Sequence, residues 1–183
     1  MDANRKGINI GEAAALLMLE RTRPDNADRP RLLAVGESSD AYHMSAPHPE
    51  GSGAAAAMAQ ALQLGGRELQ QVDYINLHAT ASQLNDQSEA KAIARLFLNP
   101  PPCSGIKGLL GHTLGAAGAV EVVVSLLALD RGFVPGTCGL QRIDPEFSLP
   151  VISDPILNRS PRLVLSNAFG FGGNNASVLM ELA

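Results

Sequence analysis

Blocks of apolar residues, separated by polar or glycine-rich segments, run along the whole chain. The first two blocks, at 12–20 (EAAALLMLE) and 31–39 (RLLAVGESS), flank the polar segment RTRPDNADRP. Two apolar runs around a turn rich in Pro, Asp and Asn are typical of a β-hairpin. A helix remains an alternative for the first run, because Ala, Leu, Met and Glu are good helix formers.

After residue 50 the pattern alternates between helical and extended segments. Glycines bound the Ala-rich stretch 51–66, as they often do at helix ends, and Asn85 and Asp86 are favourable residues for a helix start. The predicted order is helix 51–66, strand 73–77, helix 85–97, a short strand within 101–107, helix 114–132, and strands 162–169 and 175–182 joined by GFGG. This alternation predicts an α/β fold with a mixed sheet covered by helices.

Two long apolar stretches need separate interpretation. The predicted helix 114–132 ends at Gly132 and is apolar around most of its circumference, so we expect this Ala/Gly-rich helix to be buried. The uncharged stretch 163–180 has the length of a membrane span. It contains SNAFGFGGNN, however, and consecutive glycines and asparagines exclude a lipid-facing helix.

Composition narrows the possible partners. The 183 residues are 45% hydrophobic, enough for one domain with a core, and the net charge is −4. An acidic chain of this kind is not expected to bind nucleic acid or an anionic membrane. The chain has two cysteines, Cys103 and Cys138, without CxxC or metal-ligand spacing or a signal-peptide pattern. We therefore expect a reducing cytoplasmic location and no structural metal.

Three polar residues follow predicted strands, where α/β folds place their active sites. They are His78 after DYINL, Lys107 in SGIKG and His112 in GHTLGAAGA. Each has an ordinary alternative, as a hydrogen-bonded structural histidine or a solvated lysine. The helix start near Leu114 favours a neutral His112. Two neutral histidines with a lysine would stabilise an oxyanion or an enolate, and none of the three is a nucleophile.

The GFGG segment does not match a phosphate-binding loop, since no GK[ST] follows it. Its glycines, Gly170 and Gly172 among them, indicate a tight turn or a close approach of backbone to substrate. Phe169 and Phe171 in the same segment fit a core role and a pocket role equally well.

Five motifs carry a resemblance to a known family: GEAAALLMLE, SSDAYHMSAP, YINLHATASQLNDQSEAKAI, SGIKGLLGHTLGAAGAVEVV and LSNAFGFGGNNAS. In this order and spacing they resemble the C-terminal half of β-ketoacyl-acyl carrier protein synthases, the condensing enzymes with a thiolase-like fold. The resemblance covers essentially the whole chain. It implies that residues 1–183 are a C-terminal ketosynthase half-domain. The N-terminal half of the family domain, with its nucleophilic cysteine, is absent from this sequence.

The resemblance also implies roles for individual residues. His78 and His112 are similar to the two catalytic histidines of the family, and Lys107 to its active-site lysine. Asp86 and Glu89 match the acidic pair of the NDxxE segment, with Glu89 as the lysine's partner. Thr80 is grouped with them as a supporting residue, while Phe169, Gly170, Phe171 and Gly172 resemble the gate to the acyl pocket.

The implied activity is a decarboxylative Claisen condensation without a cofactor, in fatty acid or polyketide synthesis. The implied partners are acyl carrier protein with acyl and malonyl cargo, and the N-terminal half or a partner subunit, in a dimer. Without that half, the apolar face of helix 114–132 would be exposed and would favour association. A non-catalytic chain-length-factor-like subunit remains an alternative, and thiolase-type chemistry on coenzyme A is less favoured, because GHTLGAAGA is associated with carrier-protein enzymes.

The sequence departs from the family pattern at three positions: Ala13 and Ala79 replace glycines, and Asn174 replaces a threonine. Ala79 lies beside His78, so its methyl group is expected to narrow the site or shift the histidine. Neither Cys103, expected to be a small buried residue, nor Cys138, in an extended loop, is expected to replace the missing nucleophile. Neither is followed directly by a helix start that would lower its pKa.

Overall fold

The computed structural model describes residues 1–182. Four α-helices occur in the described chain: α1 (Ser52–Gly65), α2 (Gln83–Leu96), α3 (Lys107–Leu110) and α4 (Ala117–Arg131). The named strands are β1 (Arg31–Ser39), β2 (Tyr74–Asn76), β3 (Cys103–Ser104), β4 (Leu163–Phe169) and β5 (Asn174–Glu181). Short 3₁₀ turns lie at Pro24–Asn26, Leu69–Gln71, Leu114–Ala116 and Phe171–Gly173.

The five strands form one sheet in the order β1-β5-β4-β2-β3. The pairs β1–β5 and β5–β4 are antiparallel, whereas β4–β2 and β2–β3 are parallel. The predicted α/β class with a mixed sheet is confirmed. The parallel part matters for the site, because the carboxyl ends of β2 and β4 lie side by side.

Helices cover both faces of the sheet. Alternate strand residues point to opposite faces: Ile75 and Leu165 pack in one hydrophobic cluster with α1 and α2. Tyr74 and Val164 pack in a second cluster with residues of α4. The result is a three-layer arrangement in which α4 lies on the face opposite to α1 and α2.

The predicted hairpin of 12–20 with 31–39 is wrong. The second run is β1, but it pairs with β5 along its length, from Arg31 opposite Glu181 to Ser39 opposite Asn174. Residues 12–20 form neither helix nor strand, and their leucines lie at the surface. The pairing of a hydrophobic strand is decided by the sheet as a whole and not by the adjacent segment. For β1 the neighbouring strand is β5, from the other end of the chain.

The predicted helices are present, with changes at their ends. α1 lies between Gly51 and Gly66, both in the left-handed conformation, as the flanking glycines suggested. α2 begins earlier than predicted, because Ser82 is its N-cap and accepts a hydrogen bond from the Asn85 N–H. The long helix begins only at Ala117, after a 3₁₀ turn.

The burial predicted for the long helix holds for one face only. Glu121, Ser125 and Ala128 are buried, whereas Val123 is half-buried and Leu127 is exposed. α4 therefore packs on the sheet with one side and leaves an apolar side uncovered within the described chain.

The uncharged stretch 163–180 folds as the antiparallel pair β4 and β5 with a turn between them. No helix of the described residues is long and apolar enough to cross a membrane.

A glycine in β1 sets the distance between the sheet and α1. A Cβ atom at Gly36 would lie 2.0 Å from the Ala57 carbonyl oxygen and 2.4 Å from the Ala61 nitrogen. These are helix backbone atoms, which cannot move aside individually. Close packing of α1 on β1 therefore requires glycine at this position.

We predict that Gly36→Ala lowers the free energy of unfolding by about 2 kcal/mol, the usual cost of overpacking. Gly115→Ala is the matched control, since a Cβ there meets no atom within 4 Å. Urea unfolding of the two variants checks this, and equal stabilities would contradict it.

Candidate functional site

A cavity of about 1230 Å³ opens at the carboxyl ends of β2 and β4. His78 lies two residues after β2, and Phe169 is the last residue of β4. Both line the cavity, together with His112, Thr80 and Phe171. The structure thus brings together residues that are far apart in sequence, at the sheet edge where α/β folds bind ligands.

The two histidine rings are neighbours. The ring centroids of His78 and His112 are 5.3 Å apart, and the rings are nearly perpendicular at 87°. The Phe169 ring packs edge-on against His78 at 5.8 Å. Two imidazoles at this spacing can direct their N–H groups to one atom in the cavity.

Hydrogen bonds at Nδ1 determine which nitrogen of each ring carries the proton. The Lys107 ammonium nitrogen lies 3.3 Å from His78 Nδ1, and an ammonium can only donate. The backbone N–H of Leu114 donates to His112 Nδ1 at 3.2 Å. Both Nδ1 atoms are acceptors, so both neutral rings carry their proton on Nε2.

Burial holds both rings neutral. It lowers the pKa of His78 well below its usual range, and the nearby charge of Lys107 lowers it further. The same two causes, in the same order, lower the pKa of the less buried His112. The predicted neutrality is supported, but the helix start invoked for it lies at Ala117, and desolvation is the main cause.

We predict that both imidazoles titrate below the ordinary histidine pKa of about 6.5, with His78 the lower. Since the unfolded chain binds these protons first, their contribution to stability is full above about pH 6.5 and is lost as the pH falls through the folded-state pKa values. ¹⁵N NMR of labelled histidines should show the Nε2–H tautomer for both; a midpoint above 6.5 for either ring would contradict this.

The partner of the buried lysine is Glu121, not Glu89 as expected. Lys107 forms an ion pair with the Glu121 carboxylate and also donates to the His78 carbonyl oxygen. Burial raises the pKa of Glu121 to about 7, although Lys107 opposes the shift. Glu121 lies on α4, whose packing against the sheet brings its carboxylate to the lysine.

Glu89 instead holds the backbone that carries His78. Its two carboxylate oxygens accept the N–H groups of His78 at 2.9 Å and Ala79 at 2.8 Å. Asn167 on β4 donates to the same carboxylate and is itself held by Ser177. Glu89 is fully buried, so this residue of α2 fixes the turn after β2.

Asp86 and Thr80 support the same turn. Asp86 is buried, accepts the Ala81 N–H at 3.2 Å and lies 3.1 Å from Arg5 Nε. The Thr80 hydroxyl is 3.0 Å from the Ser82 hydroxyl at the start of α2. Thr80 also lines the cavity, whereas Asp86 does not.

The GFGG segment is the tight turn between β4 and β5. Gly172 has φ of 82°, a value that favours glycine. Its N–H donates to the Met44 carbonyl oxygen at 2.8 Å, and the Gly170 N–H donates to the Asn174 carbonyl oxygen at 2.7 Å. Phe171 projects from the turn with 76% of its surface exposed, whereas Phe169 is buried. The two rings thus stand at different depths of one cavity.

Ala79, which stands where the family pattern has glycine, does not narrow the cavity. A Cβ built at Gly105 would meet the Ala79 methyl at 2.6 Å, so that methyl points toward β3 and packs at the edge of the core. Ala79 adopts φ of 36°, in the left-handed region that glycine tolerates better. The substitution strains the backbone beside His78 and leaves the cavity wall unchanged.

Neither cysteine lines the cavity. Cys103 is buried in β3, as expected, and burial raises the pKa of its thiol. Cys138 is exposed. The described residues therefore offer no cysteine nucleophile at this site.

Sequence reasoning missed Glu121, Asn76 and Asn167. One signal was available: Glu121 is the lone charged residue between positions 114 and 129, in a helix otherwise apolar. Asn76 at the end of β2 donates to the Glu121 carbonyl oxygen and to Ser125, which anchors α4 beside the site. No local pattern distinguishes these asparagines from surface ones.

We predict that Lys107→Met and Glu121→Leu each lower the free energy of unfolding by about 3 kcal/mol, because each leaves a buried charge unpaired. The double variant should lose less than either single one. A double-mutant cycle from urea unfolding measures this, and additive losses would show that the two charges do not depend on each other.

The family model for the beta-ketoacyl synthase C-terminal domain matches residues 31–141. The chain is 39% identical over 97% of its length to 3-oxoacyl-[acyl-carrier-protein] synthase 2 of Mycobacterium leprae, covering 43% of that protein. It is 38% identical over 97% of its length to the mitochondrial 3-oxoacyl-[acyl-carrier-protein] synthase of Arabidopsis thaliana, covering 41% of that protein. The chain belongs to the β-ketoacyl synthase C-terminal domain family, and it spans less than half the length of these relatives.

Solved structures agree with this assignment. The ishigamide ketosynthase/chain length factor superposes with a TM-score of 0.88 at 31% identity, over 100% of this chain and 46% of that one. A chain of the complex between the ketosynthase ApeO and its chain length factor ApeC from Xenorhabdus doucetiae gives a TM-score of 0.77 at 44% identity, over 84% of this chain and 39% of that one. The predicted thiolase-like half-domain is confirmed as the fold.

Proposed function

We propose that residues 1–183 are the C-terminal half-domain of a β-ketoacyl-acyl carrier protein synthase and provide its enolate-stabilising groups. The observation that carries the proposal is the His78–His112 pair. Two adjacent rings, both with lowered pKa, both carrying a proton on Nε2, face one cavity. Paired neutral donors suit a developing oxyanion.

The proposed reaction is a decarboxylative Claisen condensation. The bond between the malonyl carboxylate and its α-carbon breaks, carbon dioxide leaves, and the electron pair forms an enolate. The thioester oxygen of that enolate accepts the Nε2–H groups of His78 and His112. The enolate carbon then attacks the carbonyl of an acyl group held as a cysteine thioester, and the thiolate leaves.

The neutral state of the histidines is essential to this proposal. An imidazolium would transfer its proton to the enolate carbon and end the reaction as an acetyl thioester. Lys107 opposes that state, since its ammonium occupies His78 Nδ1 and its charge lowers the pKa of both rings. In this scheme Lys107 and Glu121 position the histidines, and Glu89, Asp86 and Thr80 hold the turn that bears His78.

The gate role of the GFGG turn is part of the same proposal. Phe169 packs on His78, and Phe171 stands at the opening of the cavity, on a turn with glycine at its flexible positions. A movement of this turn that displaces Phe171 would have to release the hydrogen bonds of the Gly170 and Gly172 N–H groups. Such a movement would admit or exclude an acyl chain.

The proposed partners are acyl carrier protein bearing acyl and malonyl groups, and the cysteine-bearing half of a ketosynthase. Dimerisation belongs to the proposal because similar ketosynthases are described in complex with a chain length factor. Cys103 and Cys138 are free thiols, which suits the reducing cytoplasm proposed as the location. The scheme calls for no cofactor.

A second candidate is a non-catalytic chain-length-factor-like subunit. It is favoured by the structural similarity to a ketosynthase/chain length factor. This role would use the cavity to measure the acyl chain and would not require the histidine pair.

Decarboxylation of malonyl-carrier protein distinguishes the two candidates. The chain is combined with the amino-terminal portion of the M. leprae relative, outside the matched region. We expect carbon dioxide release that falls by about 10²-fold or more in His78→Ala and His112→Ala, the usual effect of losing one oxyanion donor.

His112→Asn, which keeps a side-chain N–H, should retain more activity than His112→Ala. Lys91→Ala serves as the control, because it removes an exposed cation that pairs with Glu50 outside the cavity. Release that is unaffected by both alanine variants, in a stable complex, would favour the non-catalytic subunit.

A further inference from the structure

Two small residues separate the turn that carries His78 from the turn that carries Lys107. Ala79 follows His78 directly, and Gly105 lies two residues before Lys107. A Cβ built at Gly105 would lie 2.6 Å from the Ala79 methyl carbon, a separation that real Cβ atoms essentially never show. The space between the two turns therefore holds one methyl group and no second one.

The residue types at the two positions are the reverse of what the local backbone favours. Ala79 has φ of 36°, in the left-handed region, where glycine is less strained than alanine. Gly105 is not among the glycines with positive φ, so its own backbone conformation would accept an alanine. Backbone conformation accounts for neither residue, whereas the contact between them accounts for both.

The Ala79 methyl is held where it stands. It packs at the edge of the hydrophobic core, and the Ala79 N–H donates to the Glu89 carboxylate at 2.8 Å. A non-glycine residue stays in a strained conformation only where its surroundings fix it. Core packing and the buried carboxylate together fix the residue that follows His78.

The turn that bears Lys107 is anchored as well. The buried Gly105 donates its N–H to the Thr137 hydroxyl at 3.2 Å, and the Ser104 carbonyl oxygen accepts the Leu77 N–H at 2.8 Å. This turn cannot retreat from Ala79 without losing those bonds. An added methyl at position 105 would therefore push the two turns apart at the point where they meet.

That separation would act on the contact between histidine and lysine. The Lys107 ammonium nitrogen lies 3.3 Å from His78 Nδ1 and also donates to the His78 carbonyl oxygen. Neither Ala79 nor Gly105 is among the described residues that line the cavity. Their influence on the site would pass through the positions of His78 and Lys107, not through contact with a substrate.

We propose that Ala79 and Gly105 are a complementary pair of positioning residues that sets the distance between the His78 imidazole and the Lys107 ammonium. The absence of a side chain at position 105 makes room for the methyl group at position 79. The importance of this distance for catalysis rests on the proposed function. The geometry itself can be tested without any activity.

The test moves the methyl group from one turn to the other in the full chain. Gly105→Ala should raise the equilibrium constant for unfolding by about tenfold or more, as overpacking does. Adding Ala79→Gly should return it to within about threefold of wild type, since glycine suits the left-handed φ at position 79. The new methyl at 105 would then meet only the Leu77 carbonyl oxygen, at 3.8 Å. Urea unfolding of both single variants and the double variant measures the coupling.

The position of His78 is measured separately, by ¹⁵N NMR titration of labelled histidines. Burial and then the Lys107 charge lower the pKa of His78, with a smaller effect from His112. In Gly105→Ala the lysine moves away, so the His78 midpoint should rise, and the double variant should restore it. Gly36→Ala is the matched control, because it overpacks β1 against α1 outside both turns. It should destabilise the chain and leave the midpoint unchanged.

Three results would overturn the proposal: wild-type stability of Gly105→Ala, additive effects of the two substitutions, or an unchanged His78 midpoint in a destabilised Gly105→Ala. The last would mean that the contact supports the fold without positioning the histidine. Should Gly105→Ala fail to fold, the double variant decides. A folded double variant with the wild-type midpoint upholds the pair, and an unfolded one rejects it.

Decarboxylation separates this inference from the proposed function. With the amino-terminal portion of the M. leprae relative, carbon dioxide release should fall in Gly105→Ala and recover in the double variant. No release by the wild-type chain, with the NMR and unfolding results as expected, would reject the proposed function and uphold the pair. Release by the wild-type chain with additive unfolding effects would do the reverse.

Discussion

A lysine ammonium buried beneath two histidines has to be surrounded by acceptors, and this requirement organises the site. Lys107 is met by the Glu121 carboxylate, the His78 carbonyl oxygen and His78 Nδ1. These contacts join α3, α4 and the turn after β2. Because an unpaired charge in this position would be very unfavourable, the elements cannot shift independently, and the tautomer of His78 follows from the same arrangement.

The second buried carboxylate of the site, Glu89, has a different role from that of Glu121. Glu89 accepts two backbone N–H groups and an amide from β4, and makes no ion pair with the lysine. Glu89 therefore fixes the position of His78, and Glu121 compensates the Lys107 charge, which adds to burial in keeping His78 neutral. For both glutamates burial raises the pKa, but hydrogen-bond donors oppose the shift for Glu89 and the lysine opposes it for Glu121.

The site is complete on one side only. The sheet, α2 and α4 provide donors and a wall, while Phe171, the uncovered side of α4 and residues 12–20 present apolar surface. Such surfaces are unfavourable in water. Phe171 and the first turn of α4 also line the cavity, whereas residues 12–20 do not. The hydrophobic effect that holds α1 and α2 on the sheet is not satisfied by the described chain on this side.

The elements that the sequence determined by itself are those with local causes. Gly51 and Gly66 bound α1 because glycine adopts the left-handed conformation at low cost, and the GFGG turn joins two strands for the same reason. The positions after predicted strands and the motifs indicated His78, Lys107 and His112, and the alternation of helical and extended segments predicted the α/β class. Each of these signals lies in a short stretch of neighbouring residues or in the order of such stretches.

Only the tertiary structure decided which distant groups meet. It paired β1 with β5 instead of residues 12–20, chose Glu121 over Glu89 for Lys107, and turned the Ala79 methyl away from the cavity. Strand pairing and compensation of buried charge are settled by packing between segments far apart in sequence. A local pattern carries no information about which partner will be present.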